Sequence, residues 1–503
     1  MPKVKKRKKD RKDKAVASLK LLSNLTGFGD EPDSLESCLE GWGVMAPSQQ
    51  PVAKKANTIG WISSIERVES WNQSLLLYLK GGNYQNSLFE NLELELARSF
   101  IVRELSSFLL RAGEDLRMPA FERWFIDSRL EQNMDETIRS STTDPIIPNQ
   151  VSVKFGASQR LIQELRANIK DEKKAESIVS ELCRQTNVKC SQLLARSELY
   201  RRESSLKRGV ITVEKNSPEV TTILYGKKKW KKPFCYRVNT EHYEKLRDRF
   251  FAVHNTATTK LDNQDERLMR VFNVIVISLL IRYNALSGGY LNDDLRGGGM
   301  QGAIHSEVFS VLQKHFTGSF LMEGFASPLN HCLPSFCSAF PEIEWHFGSM
   351  GSFMESRFTH DTCCELNPPF SPGLMMQMSI KILGELRVAK KERRKLTFVV
   401  VVPTSNGDTT VGIKHFANDS FQQMVTSPFC KKHIVLKSRT HGYIEGAAHL
   451  RPTRYKESNY DTSVIFLQSQ DLPSVNYTQL ERDIRESFAS RHNQETQIRR
   501  SLN

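Results

Sequence analysis

The run Leu396–Val402, LTFVVVV, constrains the fold more than any other stretch of the chain. An unbroken β-branched and aromatic segment has no polar face, so it reads as a strand with a layer packed on each side. HIVLK at 433–437, SVIFLQ at 463–468 and SFLMEGFA at 319–326 read as further strands of the same kind. Helical patterns lie between them, at 307–316 and 372–389, the second with Ser371 as N-cap and Pro372 at the first helical position. Strands that alternate with helices predict an α/β fold with a parallel sheet covered on both faces. In such sheets ligands bind beyond the carboxyl ends of the strands. SPLN at 327–330 and NPPF at 367–370 fall where two strands would end, so both can face one pocket.

NPPF carries a definite chemistry. An amine conjugated to a ring is a poor nucleophile, because its lone pair is delocalised. The side-chain oxygen of Asn367 and the carbonyl of Pro368 can each accept one amine hydrogen. That favours a pyramidal nitrogen with its lone pair aimed at a methyl donor. Pro368 and Pro369 have fixed φ and no N–H, which stiffens the loop and keeps it out of a sheet ladder, and Phe370 can stack on the ring. Such a site works by pre-organisation and calls for no metal, acid or covalent nucleophile. The plainer alternative is a Pro-Pro turn preceded by Asn, which loops use routinely.

The rest of the chain divides by pattern. Residues 1–55 form a basic tail, expected to be mostly disordered, and 56–206 a helical domain with a long loop at 141–158. Residues 207–478 are α/β, opening with two short strands in RGVITVEK and TTILYGKKKW, and 479–503 are a C-terminal tail. The aromatic cluster Phe121, Trp124 and Phe125 reads mainly as core. The glycine cluster 297–302 lacks the Lys-Ser/Thr ending of a phosphate loop and reads as a flexible loop beside a site.

Charge points to a polyanion. The net charge of +14 is concentrated in three runs, 1–14, 207–237 and 387–395, carrying +7, +7 and +5, so the remainder is close to −5. This suits nucleic acid, with Lys227, Lys228, Lys229, Lys231, Lys232, Arg393 and Arg394 as candidate RNA contacts. The first run also fits a nuclear-localisation signal, so a nuclear location is expected, with the cytoplasm as the alternative. The nine cysteines lack the paired spacing of a zinc site and read as reduced thiols. The apolar run Val271–Ile281 is too short to span a bilayer, so no membrane partner is expected.

RGVITVEK (208–215), GGGMQGA (297–303), FASPLN (325–330), CSAFPEIEWHFGSMGSF (337–353), NPPF and SVIFLQ occur in an order that resembles the phosphorylated carboxy-terminal-domain-interacting factor family, the cap-specific adenosine N6-methyltransferases. The resemblance covers about 208–470. It implies a Rossmann-like methyltransferase domain packed on an all-α helical domain, with S-adenosylmethionine as cofactor. The implied substrate is N6 of the 2′-O-methyladenosine next to a 7-methylguanosine cap, in capped RNA beginning with adenosine. Asn367, Pro368, Pro369 and Phe370 would form the catalytic clamp; Phe325, Ala326, Ser327, Pro328, Asn330, Phe347 and Gly348 would bind the cofactor. A phosphorylated RNA polymerase II tail is an implied partner. Characterised animal members hold it with an N-terminal WW domain, and Trp42 and Trp61 lack the intervening aromatic strands of such a module. Two alternatives stay open: a catalytically weak scaffold for capped RNA or the polymerase, and an N6-adenine methyltransferase for another nucleic acid.

Overall fold

Apolar residues at three- and four-residue spacing produce helices in the first part of the chain. The computed structural model describes residues 86–113, 118–134, 144–169, 171–202, 209–215, 217–227, 233–254, 265–286, 302–404, 418–446, 448–450 and 454–501. Four helices come first: α1 (Asn86–Ala112), α2 (Met118–Met134), α3 (Gly156–Asn168) and α4 (Glu172–Arg202). Phe121, Trp124 and Phe125 of α2 are at most 2% exposed and belong to the core, as their spacing suggests. The basic tail and the first helical runs lie outside the described residues.

An antiparallel sheet follows, in the order β1 (Val210–Lys215), β2 (Val220–Gly226), β3 (Phe234–Asn239). The first two strands are the expected ones. β3, FCYRVN, alternates polar and apolar residues and pairs with β2 along its length. Helices α5 (Thr240–Val253) and α6 (Asp265–Leu286) come next. The apolar run near 271 is the middle of α6. Its span Leu268–Leu286 is, on length and composition, long enough to cross a bilayer, contrary to the shorter run read from sequence, but 83% of it is buried inside the fold. α6 is a core helix.

The remaining elements are α7 (Ser306–His315), β4 (Phe320–Glu323), β5 (Thr362–Leu366), α8 (Pro372–Lys391), β6 (Leu396–Pro403), α9 (Asn418–Val425), β7 (Cys430–Leu436), β8 (Gly442–Ile444), β9 (Tyr455–Glu457), β10 (Thr462–Gln468) and α10 (Tyr477–Ser501). The main sheet has the order β4-β5-β6-β10-β7. β4, β5 and β6 are parallel, as the alternation of strand and helix predicts. β10 is antiparallel to both of its neighbours, so the sheet is mixed. A parallel return requires a helical crossover. Between β7 and β10 the described chain has only the β8–β9 hairpin, so β10 runs back the other way.

Period-two alternation sends each strand into both cores. Phe398, Val400 and Val402 of β6 join the large core shared with the helices, while Val399 and Val401 join a second core with α7 and α10. The segment after 478, expected as a tail, is helix α10, whose Leu480, Ile484 and Phe488 recur at four-residue spacing and are buried. β4 is shorter than the expected 319–326, because the chain turns out of the ladder after Gly324, whose N–H still donates to Glu365 O at 2.8 Å.

Candidate active site

β4 and β5 are adjacent and parallel, so the loops that leave their carboxyl ends start side by side. Gly324 allows the close approach: a Cβ there would lie 2.2 Å from Leu366 Cδ2 and 2.9 Å from a Phe353 ring carbon. The loop after β4 then closes on itself. Asn330 Oδ1 accepts from Ser327 N at 2.8 Å and Ser327 Oγ at 2.9 Å, and Ser327 Oγ accepts from Leu329 N and Asn330 N at 3.2 Å each. Phe325, Ser327 and Pro328 are buried, Ala326 and Asn330 half-buried.

The NPPF loop leaves β5. Asn367 is 6% exposed; its Nδ2 donates to Gly302 O at 2.9 Å, while its Oδ1 is buried without a hydrogen-bond partner. A carbonyl partner for Nδ2 fixes the amide orientation and leaves Oδ1 as the acceptor. Gly302 is the end of the glycine cluster; 297–301 lie outside the described residues. Pro368 and Pro369 are buried and Phe370 is half-buried. Two tyrosine rings meet Phe370 edge-on, Tyr443 of β8 at 6.5 Å and 68° and Tyr460 at 6.0 Å and 88°. Ser371 caps α8 by accepting from Leu374 N, so the expected helix start is observed.

The loop after β4 borders a cleft of about 330 Å³, within the range of small-molecule sites, which no NPPF residue lines. Leu329, Asn330 and His331 line one side, Ile304, His305 and Ser306 another, with Lys245, Arg454 and Arg491 beside Glu241 and Glu445; Arg454 is ion-paired with Glu241, and Arg491 with Glu307 and Glu495. Burial drives its histidines toward the neutral form: His331 to about 3, His242 to about 4, His449 to about 3, and His305 below its ordinary value. His242 Nδ1, His305 Nε2 and His331 Nε2 are buried without partners. The cleft therefore presents ring nitrogens and the Lys245 cation to a small polar ligand. Of the residues expected to bind the cofactor, Asn330 lines this cleft, whereas Phe325, Ala326, Ser327, Pro328, Phe347 and Gly348 do not. Phe347 is fully buried against Phe250 of α5, and Gly348, at φ 89°, ends the turn beside Arg249.

A family model described as "Phosphorylated CTD interacting factor 1 WW domain" matches residues 245–446. That segment holds most of α5, all of α6, both loops of the site and β8. Over these residues the chain is similar to this family. Two curated relatives are named "mRNA (2'-O-methyladenosine-N(6)-)-methyltransferase", one from Mus musculus, 31% identical over 208 residues, and one from Homo sapiens, 30% identical over 207 residues. Each match covers 41% of this chain and 27% of the relative, so the chain spans about a quarter of the length of the curated relatives it matches.

Most of the candidate RNA contacts from the basic runs are either undescribed or already paired. Lys228, Lys229, Lys231 and Lys232 fall outside the described residues, and Lys227 is ion-paired with Glu93. Arg393 and Arg394 follow the C-terminal end of α8, a helix of 20 residues whose first turn leaves NPPF. They therefore sit about 30 Å from that loop, at the amino-terminal end of β6 and so at the opposite end of the parallel strands. Arg394 is occupied by Glu392, with Nε to Oε2 at 2.6 Å, and by the Phe358 carbonyl. The cations next to the cleft are Lys245, Arg454 and Arg491, none of which stands in a basic run; composition could not single them out. Among the described residues no cluster of His, Cys, Asp and Glu fits a metal ion.

Proposed function

We propose that this protein is an S-adenosylmethionine-dependent methyltransferase that acts on N6 of the 2′-O-methyladenosine next to the cap of capped RNA. The observation that carries the reading is the buried, unpartnered Oδ1 of Asn367, held by the Nδ2 bond to Gly302 O at 2.9 Å. Pro369 O accepts from Ser371 N at 2.8 Å, which supports Asn367 Oδ1 and the Pro368 carbonyl as the two acceptors. Each takes one N6 hydrogen and the nitrogen lone pair turns out of the ring plane. Phe370, braced edge-on by Tyr443 and Tyr460, offers its face to the adenine.

S-adenosylmethionine, when bound, supplies an electrophilic methyl group on a sulfonium. The cleft suits it chemically: Lys245 can meet a carboxylate, while Asn330, His305 and His331 offer hydrogen-bonding atoms to its polar parts. Its position beyond the carboxyl ends of parallel strands supports a Rossmann-like reading of the sheet. The donor and adenine then approach from the two adjacent loops.

The deciding experiment incubates the protein with labelled S-adenosylmethionine and RNAs differing only in cap and first nucleotide. Label is expected only on capped, adenosine-initiated RNA, at N6. Asn367→Ala should lower turnover at least about a hundredfold, the scale of losing one pre-organised polar contact, with RNA affinity retained. Wild-type turnover in that variant would falsify the clamp.

A further inference from the structure

We propose that Asp127, on helix α2 that packs against α8, is the positioning residue that holds the NPPF loop in its working geometry. The inference rests on the methyltransferase reading above only for its catalytic readout. Asp127 belongs to α2 and is 1% exposed. Its Oδ1 accepts the hydroxyl of Ser371, the residue directly after Phe370. Gly373 N donates to both carboxylate oxygens at 3.1 Å, and Arg160 Nη2 donates to Oδ2 at 2.8 Å.

The first amides of a helix have no intrahelical partner and carry partial positive charge. Asp127 therefore places a carboxylate on the N-terminus of α8 and fixes where that helix begins. Pro368 and Pro369 cannot change φ, so a restraint on Ser371 is passed through a stiff loop to Asn367. The loop is then pinned at two points, Gly302 O at Asn367 and Asp127 at Ser371. Gly373 belongs to the same arrangement: a Cβ on it would stand 2.7 Å from Asp127 Oδ1 and 2.9 Å from its Cγ.

The test uses the full chain and three variants, Asp127→Ala, Asp127→Asn and Gly373→Ala. Steady-state kcat and KM are measured on capped, adenosine-initiated RNA, and amide hydrogen exchange is followed along the chain. The expected result is a kcat that falls about tenfold or more in Asp127→Ala and less in Asp127→Asn, with KM for RNA within about twofold. Gly373→Ala should also lower kcat. Faster exchange should be confined to residues 367–375. A purely structural tie between α2 and α8 would instead accelerate exchange in both helices together and leave the kcat of folded enzyme unchanged. That outcome, or wild-type kcat in Asp127→Ala, overturns the proposal. Should Asp127→Ala not fold, the nearly isosteric Asp127→Asn is judged by the same criteria. If the wild type methylates none of the RNAs, the proposed function fails while the exchange pattern still decides the role of Asp127.

Discussion

Glu323 and Glu365 face each other in the ladder at the carboxyl ends of β4 and β5, 3% and 2% exposed. Burial pushes Glu323 up to about 7, although its Oε1 accepts from Cys332 N at 2.8 Å and Leu333 N at 2.5 Å. Burial, with Glu323 alongside, also holds Glu365 well above the ordinary carboxyl range. A folded value above the ordinary 4.5 means that the folded state binds the proton more tightly. The contribution of Glu323 to stability is therefore complete below about 4.5 and is lost as pH rises through about 7. Glu323→Gln keeps an acceptor for both amides and cannot ionise. Relative to that variant, the wild type should lose up to roughly 3 kcal/mol between about pH 5 and pH 8. Urea midpoints of the two proteins at each pH check this, and a constant difference would show that folding leaves the pKa of Glu323 at its ordinary value. At this scale the sequence is legible only where side-chain type alone dictates the chemistry. Asn367 and Phe370 are such residues. Asp127 is not, because it meets Ser371 across 244 positions of chain and nothing local in FIDSR announces the partner.

Tyr443 and Tyr460 brace Phe370 from the β8–β9 hairpin and the turn before β10, elements that carry no strong sequence signal. β8 and β9 are three residues each, too short for an alternation to register. The long apolar strands were legible, yet the direction of β10 was not, because a strand buried on both faces reads the same whichever way it runs. The helix start at Ser371-Pro372 was legible because a cap and a first-turn proline are local chemistry. The bracing has a measurable consequence. An aromatic pair contributes about 0.5–1.5 kcal/mol beyond its buried area, so Tyr460→Ala should raise KM for capped RNA roughly two- to tenfold. Tyr460→Phe should retain most of the wild-type affinity, since it keeps the ring that packs at 6.0 Å and 88° on Phe370. Steady-state kinetics on the same RNA checks both, and equal effects of the two substitutions would remove the role given to the ring.

The helical and α/β parts, distinct in sequence pattern, share one core. A single buried cluster runs from Leu92 of α1 through Phe272 of α6 to Val400 of β6 and Leu467 of β10. Within it Arg282 of α6, 1% exposed, joins the parts: its Nε donates to Glu95 of α1 at 3.1 Å and its Nη1 to Glu342, in the turn Pro341–Glu344 that follows β4. The guanidinium also lies 5.0 Å from the centre of the Phe340 ring. Burial opposes its charge, but Glu95 and Glu342 outweigh that and hold it above its ordinary value. Arg98 extends the network, bonding Glu95 and Asp144 at 2.8 Å each, and Asp144 in turn accepts from Ile146 N and Ile147 N at 2.9 Å. Such a network binds the parts through desolvated charge, and removing its centre takes the Arg282 cation from buried Glu342 and leaves Glu95 with Arg98. Arg282→Ala should therefore destabilise the protein by about 3–5 kcal/mol. Because the core is continuous, the loss should lower one shared transition and not release the helices first. Thermal unfolding followed by far-ultraviolet dichroism and by tryptophan emission, with Trp124 in α2 and Trp345 beyond β4, tests this. Coincident curves at a lowered midpoint are expected, whereas curves that separate in the variant would mean that Arg282 is a latch between two independently folding units.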